Sequence, residues 1–303
     1  MGVTTGPLRL ADVPAAVEVA NAIAAADGSG AYMTLDDFAG ALGDAVESLG
    51  LWFDGRLVGY GLVDPAVGER IVRVKGGIHP ASRRQGLGRQ LLDWQTRCAQ
   101  MQADVVDADV ETANTGGIAL LTARGFVPVR YFKVMQRWYD DRPMPEVSVP
   151  SGLTVVGFEA QYDVRLRLAY NEIFQGQWGI TWKSEDDWRR WFTGHHAFRP
   201  ALSTLVVEGK RIAAFALGYE FTVDTEQTGV RELWIGQVGT RATYRSRGLA
   251  SAAMSAVLRG GQETGFERSS LAVDADNPTG ASRLYEALGF AVVSSSVRYR
   301  LTT

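Results

Sequence analysis

IVRVKGGIHPASRRQGLGRQLL occupies residues 71–92, and ELWIGQVGTRATYRSRGLASAAM occupies residues 232–254. Each runs from an apolar, β-branched stretch through arginines to a glycine and then into a helical pattern. The turns at their centres are Arg83-Arg84-Gln85-Gly86-Leu87-Gly88 and Arg245-Ser246-Arg247-Gly248-Leu249-Ala250. A turn between a strand and a helix aims free N–H groups out of the helix start. Those groups and the helix dipole attract an anion. Glycine lets phosphate oxygens approach the backbone with no Cβ in the way. The neighbouring arginines add charge and donors. Several donors in a row suit a diphosphate better than a carboxylate. Neither turn is a Walker loop, which needs Gly-Lys-Ser/Thr, and Gly86-Leu87-Gly88 does not continue into GxGxxG. For one turn alone, an ordinary helix start with solvated arginines is an equal reading. Two turns in matching surroundings weigh against it.

Outward from the turns, the same order of signals repeats. GRLVGYGLV (55–63) precedes the first and GKRIAAFAL (209–217) the second. Asn114 leads to Arg124-Gly125-Phe126, and Asn277 leads to Leu288-Gly289-Phe290. Gly248 follows Gly86 by 162 residues, and Gly289 follows Gly125 by 164. One short insertion accounts for the difference. So long a period means a duplicated domain rather than a solenoid. Pro143, Pro145 and Pro150 fall between the copies, disfavour helix and cannot donate sheet hydrogen bonds. The expected organisation is an N-terminal domain over 1–140, a linker over 141–152 and a C-terminal domain over 153–303.

Both halves alternate strands and helices. In the first half, Asp12 caps a helix to about residue 25, and Asp54-Gly55 joins strands 46–53 and 56–63 as a hairpin. Strand 71–78, helix 88–102, strand 105–110 and helix 115–123 follow. In the second half, strand 153–158 and helix 162–174 come first. Ser184 with Asp187 forms a loose capping box. Strands 201–207, 211–218 and 232–238, helix 249–264, strand 270–273 and helix 280–288 complete it.

The chain has 303 residues, 46% hydrophobic and 21% charged, which suits two globular domains. A net charge of −3 argues against a broad nucleic-acid-binding surface. A single cysteine, Cys98, excludes an internal disulfide framework and a thiolate-rich metal site. MGVTTGPLRL lacks the basic flank and apolar run of a signal peptide, and no apolar run approaches ~18 residues. A soluble, cytoplasmic protein with neither membrane nor nucleic-acid partner is the expectation.

Arg83–Gly88 and Arg245–Ala250, followed by Asn277…Ala281…Leu284-Tyr285…Leu288-Gly289-Phe290, resemble the two signatures of the GCN5-related N-acetyltransferases. The resemblance implies an α/β fold of two tandem acyl-CoA N-acyltransferase domains, each a mixed, splayed β-sheet flanked by helices. It implies acetyl-CoA as cofactor, CoA as product, and no metal. Pantetheine would lie along the strand that ends at Ile78, or at Val238, Gly239 and Thr240. The diphosphate would sit on Arg83, Arg84, Gln85, Gly86, Leu87, Gly88 and Arg89, or on Arg245, Ser246, Arg247, Gly248, Leu249, Ala250 and Ser251. A tandem layout with a more complete C-terminal copy is similar to that of mycothiol-synthase-like members.

The copies differ where Tyr285 aligns with Leu121. The resemblance puts a tyrosine here near the cofactor sulfur. A phenol with a reference pKa near 10 can give a proton to the departing thiolate, and a leucine cannot. The C-terminal copy is therefore expected to be catalytic and the N-terminal copy degenerate. A core tyrosine is the competing reading. Asn277 and Asn114 can cap the last helix of each copy or bond a pantetheine amide. An acceptor ammonium must lose a proton before attack. Glu232 lies about two residues from where mycothiol-synthase-like members carry a glutamate. Glu220 and Asp224 are rivals, and each of the three also reads as a solvated strand-end charge. Trp178, Trp182, Trp188 and Trp191 fall where the family's early helices wall the acceptor pocket, although most are expected in the core. His195 and His196 read as a polar loop, His79 as part of a turn and Cys98 as core. The expected activity is transfer of an acetyl group from acetyl-CoA to the primary amine of a small molecule, such as an amino sugar, amino acid or antibiotic. Attack would be direct, in a ternary complex. Alternatives are a non-catalytic acyl-CoA-binding or sensing protein and an acetyltransferase for protein N-termini or lysines. A monomer is compatible with the sequence, and the oligomeric state stays open.

Overall fold

Alternating apolar strands and amphipathic helices fold into two compact units. A computed structural model describes residues 2–67, 70–139, 146, 148–277 and 280–302. Unit 1 gathers residues 1–133, 274–276 and 294–303, and unit 2 gathers 134–273 and 277–293. Half of the linker expected at 141–152 lies outside the described residues, namely 141–145 and 147.

In chain order, the first copy provides β1 (Val3–Gly6), α1 (Val13–Asp27), α2 (Leu35–Asp44), β2 (Glu47–Phe53), β3 (Arg56–Val63), β4 (Ile71–Ile78), α3 (Leu87–Gln100), β5 (Val105–Glu111), α4 (Thr115–Ala123) and β6 (Val127–Trp138). The second provides β7 (Thr154–Gly157), α5 (Asp163–Phe174), α6 (Glu185–Trp188), β8 (Thr204–Glu208), β9 (Arg211–Tyr219), α7 (Thr222–Thr228), β10 (Glu232–Thr240), α8 (Leu249–Glu263), β11 (Arg268–Asp274), α9 (Ala281–Ala287) and β12 (Ala291–Thr302). The expected hairpin forms at Asp54 and Gly55, both at positive φ as a twist-matched two-residue turn requires. Ser184 and Asp187 complete their capping box, but α6 lasts four residues before a π-type turn over Arg189–Thr193. Helix α7 was not expected from the sequence. Its seven residues, TVDTEQT, hold one buried side chain, Val223, so no apolar period marks them.

Unit 1 has strand order β1-β2-β3-β4-β5-β12, with residues 296–302 of β12 antiparallel to β5. In unit 2 the order is β7-β8-β9-β10-β11, with the end of β6 beside β11. Each sheet has one parallel pair of consecutive strands, β4–β5 and β10–β11. The first is paired only from Ile71/Val105 to Val74/Ala108. The second is paired only from Glu232/Arg268 to Trp234/Ser270. Beyond those points the parallel strands part, which gives the splay that the resemblance implied. Helices cover both faces of each sheet. In unit 2, Leu166, Tyr170, Trp188, Phe192 and Phe215 pack on one side. Leu249, Ala253, Val257, Leu258 and Leu271 pack on the other. Among the described residues no helix is long and apolar enough to cross a membrane.

Candidate active site

At the splayed end of β10, residues 235–240 pair with β9 alone among the described strands. The other edge of this segment has no strand partner among the described residues. The turn that follows places Ser246 at φ 59° and Gly248 at φ 76°. These are left-handed conformations, and a non-glycine residue seldom holds one outside a constrained site. They point successive amides into one concavity. The first helical bond of α8 runs from Ala252 N–H to Gly248 O at 2.9 Å. The amides of Leu249, Ala250 and Ser251 therefore precede the helical ladder and face outward.

These groups line a cavity of about 590 Å³. Val238, Gly239, Thr240, Arg245, Ser246, Gly248, Leu249, Ala250 and Ser251 form one wall. Asn277, Gly280, Leu284 and Tyr285 also belong to the lining. Arg247 is not in the lining and reaches over the Tyr244 ring, 5.6 Å from its centroid. Among the described residues none in the lining is a carboxylate, so these walls place no negative charge against an anionic guest. Tyr285 is 7% exposed and burial pushes its phenol up to about 12. Its counterpart Leu121 is packed in the core of unit 1.

The expected acid–base pair is not brought together. Glu232 stands at the opposite end of β10 from Val238–Thr240, outside the cavity lining. Its Oε2 accepts from Arg268 and, at 3.4 Å, from Gln136. Rival Glu220 accepts from Arg231 at 2.7 Å and Arg199 at 2.9 Å. Burial works to raise the Glu220 carboxyl, but the two arginines outweigh it and hold the group below the usual range. Asp224 lies on α7 and also lies outside the lining.

The tryptophans divide. Trp188 is core, stacked 4.5 Å from Phe192, whereas Trp182 is 64% and Trp191 49% exposed. Two of the four are thus plainly outside the core, because the loop after α5 carries Trp182 to the surface and the π-type turn rotates Trp191 outward. His79 accepts from the Ala81 amide at 3.3 Å and shapes its turn, and Cys98 is buried. Sequence reasoning missed Ile173, Gln177 and Tyr244 in the lining. Gln177 lies beyond the end of α5, where no periodic pattern reaches.

In unit 1 the matching turn has the same backbone, with Arg84 at φ 66° and Gly86 at φ 82°. Gln85, Leu87 and Gly88 complete it, and Arg89 reaches Asp93 at 3.9 Å. Arg83 bonds the Ile78 carbonyl at 3.2 Å and makes a paired contact with Asp27.

The sequence profile of the acetyltransferase (GNAT) family matches residues 22–126 and 165–290. The chain belongs to this family. It is a tandem GNAT acyltransferase, with one family domain in each copy. Mycothiol acetyltransferase of Thermomonospora curvata is 30% identical over 254 residues, covering 82% of this chain and 80% of that protein. Mycothiol acetyltransferase of Salinispora tropica is 30% identical over 267 residues, covering 82% and 79%. A GCN5-related N-acetyltransferase from Sphaerobacter thermophilus superposes with a TM-score of 0.75 at 26% identity, covering 98% of this GNAT chain and 95% of that one. A tandem GNAT protein of the clavulanic acid biosynthesis pathway has the same fold, with a TM-score of 0.77 at 18% identity over 99% and 98% of the two chains.

Proposed function

We propose that unit 2 transfers the acetyl group of acetyl-CoA to the primary amine of a small molecule, by direct attack with both substrates bound. One observation carries the reading: the turn residues Arg245, Ser246 and Gly248–Ser251 and the Tyr285 phenol line the same cavity, which has no carboxylate among its described residues. The residues fit a long anionic thioester. The turn amides and Arg245 bind its phosphates, and the open edge of β10 accepts an extended amide chain. Acetyl-CoA supplies an activated acyl group. Near Val238, a main-chain N–H beside the splay polarises the carbonyl. Tyr285 holds a proton on its Oη for the departing sulfur. No carboxylate stands among the described lining residues, and the acceptor's proton leaves through water. Asn277 orients the chain or caps α9. Unit 1 is the non-catalytic copy, because Leu121 has no proton to give. The relatives named mycothiol acetyltransferases support a small-molecule acceptor.

The test is thiol release from acetyl-CoA with a panel of small primary amines. Amine-dependent release that is lost when Gly248 becomes aspartate is the expected result. Tight CoA binding with no release for any amine would point to a sensing role instead.

A further inference from the structure

The two units can be placed in register by their own hydrogen bonds. Asn21 donates to the Met33 carbonyl and accepts from the Met33 amide. Asn171 does the same with Lys183. The capping pairs Thr34–Asp37 and Ser184–Asp187 follow. All of these match at an offset of 150 residues. On that offset Asp27, the last residue of α1, corresponds to Gln177. Arg83 and Arg245 correspond across the turns, and each Nε donates back to its strand-end carbonyl, Ile78 at 3.2 Å and Thr240 at 3.4 Å. Asn114 and Asn277 correspond ahead of the last helices.

In unit 2, Gln177, Arg245 and Asn277 line the cavity. In unit 1 the same three positions are tied to one another. Arg83 donates from both terminal nitrogens to the two oxygens of Asp27, at 2.6 and 2.9 Å. Asn114 Nδ2 donates to Asp27 Oδ2 at 2.9 Å, and its Oδ1 accepts from the Gly117 amide at 2.8 Å. Asp27 is only 8% exposed. The tie crosses the place that is open in unit 2, and the turn's inward-facing cation is already neutralised.

We propose that the residue at position 27 or 177 decides which unit holds CoA: Asp27 is a built-in anion that closes the N-terminal turn, so each chain binds one CoA, in unit 2. The inference rests on the reading of the unit 2 cavity as the acetyl-CoA site. A diphosphate reaching Arg83 must open a two-pronged ion pair and leave a buried carboxylate unpaired beside new negative charge. Burial, and after it the charge of Asp27, already pushes the Glu111 carboxyl up, so this corner of unit 1 resists further negative charge. Among the described residues, unit 2 has no ion pair on Arg245 to match Arg83–Asp27. Gln177, where unit 1 has Asp27, is neutral.

Calorimetric titration of the full-length protein with CoA tests this. Wild type is expected to bind one CoA per chain, with hydrogen-exchange protection at amides 248–252 and none at 86–90. Asp27→Gln installs the unit 2 residue and is expected to raise the stoichiometry to two. Two sites in wild type, protection at 86–90, or a folded Asp27→Gln variant that still binds one CoA would each overturn the proposal. If that variant fails to fold, the wild-type exchange pattern decides alone. Absence of any CoA binding in wild type would instead sink the function proposed for unit 2.

Discussion

At the scale of single residues, the function proposed for unit 2 turns on a buried phenol, Tyr285. Tyr285→Phe keeps the ring packed near Phe290 and removes only the proton. Turnover is expected to fall by roughly 100-fold or more, the usual worth of a positioned general acid. The KM for acetyl-CoA should barely move, and steady-state thiol release measures both. Burial disfavours the phenolate, so the group stays protonated up to about pH 12. The wild-type kcat should therefore not fall between pH 7 and 10 through loss of this proton. It should rise as the acceptor ammonium deprotonates. A falling limb in that range that vanishes in Tyr285→Phe would contradict the raised phenol, whereas wild-type turnover in Tyr285→Phe would contradict its role. Glu232→Gln is a contrasting case. It weakens a buried pair with Arg268, so denaturant titration should show lost stability while kcat stays near wild type. Sequence spacing alone could nominate Glu232, since a strand-end glutamate looks the same whether it faces a cavity or an arginine.

At the scale of elements, the strand-turn-helix units were legible because their determinants are local. A β-branched run, a glycine able to hold positive φ and an amphipathic helix need no distant partner to be recognised. What escaped notice was conformation that depends on neighbours. Ser246 and Arg84 adopt left-handed backbone with no sequence sign of it. Gly76 in β4 is another such place. It has φ 124°, and a Cβ there would stand 2.1 Å from the Tyr60 carbonyl oxygen. Because backbone rather than a movable side chain is in the way, Gly76→Ala should cost about 2–3 kcal/mol of stability. Urea unfolding would register it as a lower midpoint with the slope unchanged.

At the scale of the whole molecule, unit 1 is finished by the end of the chain. Residues 296–302 of β12 pair with β5, and Val297 and Tyr299 join its core. Arg298 and Arg300 lie directly opposite Asp109 and Asp107 and bond each through two nitrogens. Asp107 is 2% exposed, so Arg300→Ala strands a buried carboxylate and should destabilise the protein by about 3–5 kcal/mol. Deleting residues 294–303 should be worse and leave little soluble protein, because β5 also loses a strand neighbour. A truncated chain with a wild-type melting temperature would refute this account of unit 1. The sequence by itself determined the duplication, the α/β plan, the two glycine turns at helix starts and the difference between Tyr285 and Leu121. Each is written in residue type and spacing along one segment. Only the tertiary structure decided which strand completes unit 1, which carboxylates are locked to arginines and which side chains share a cavity. Those outcomes come from contacts between residues far apart in the chain, and no local pattern encodes what a side chain will meet.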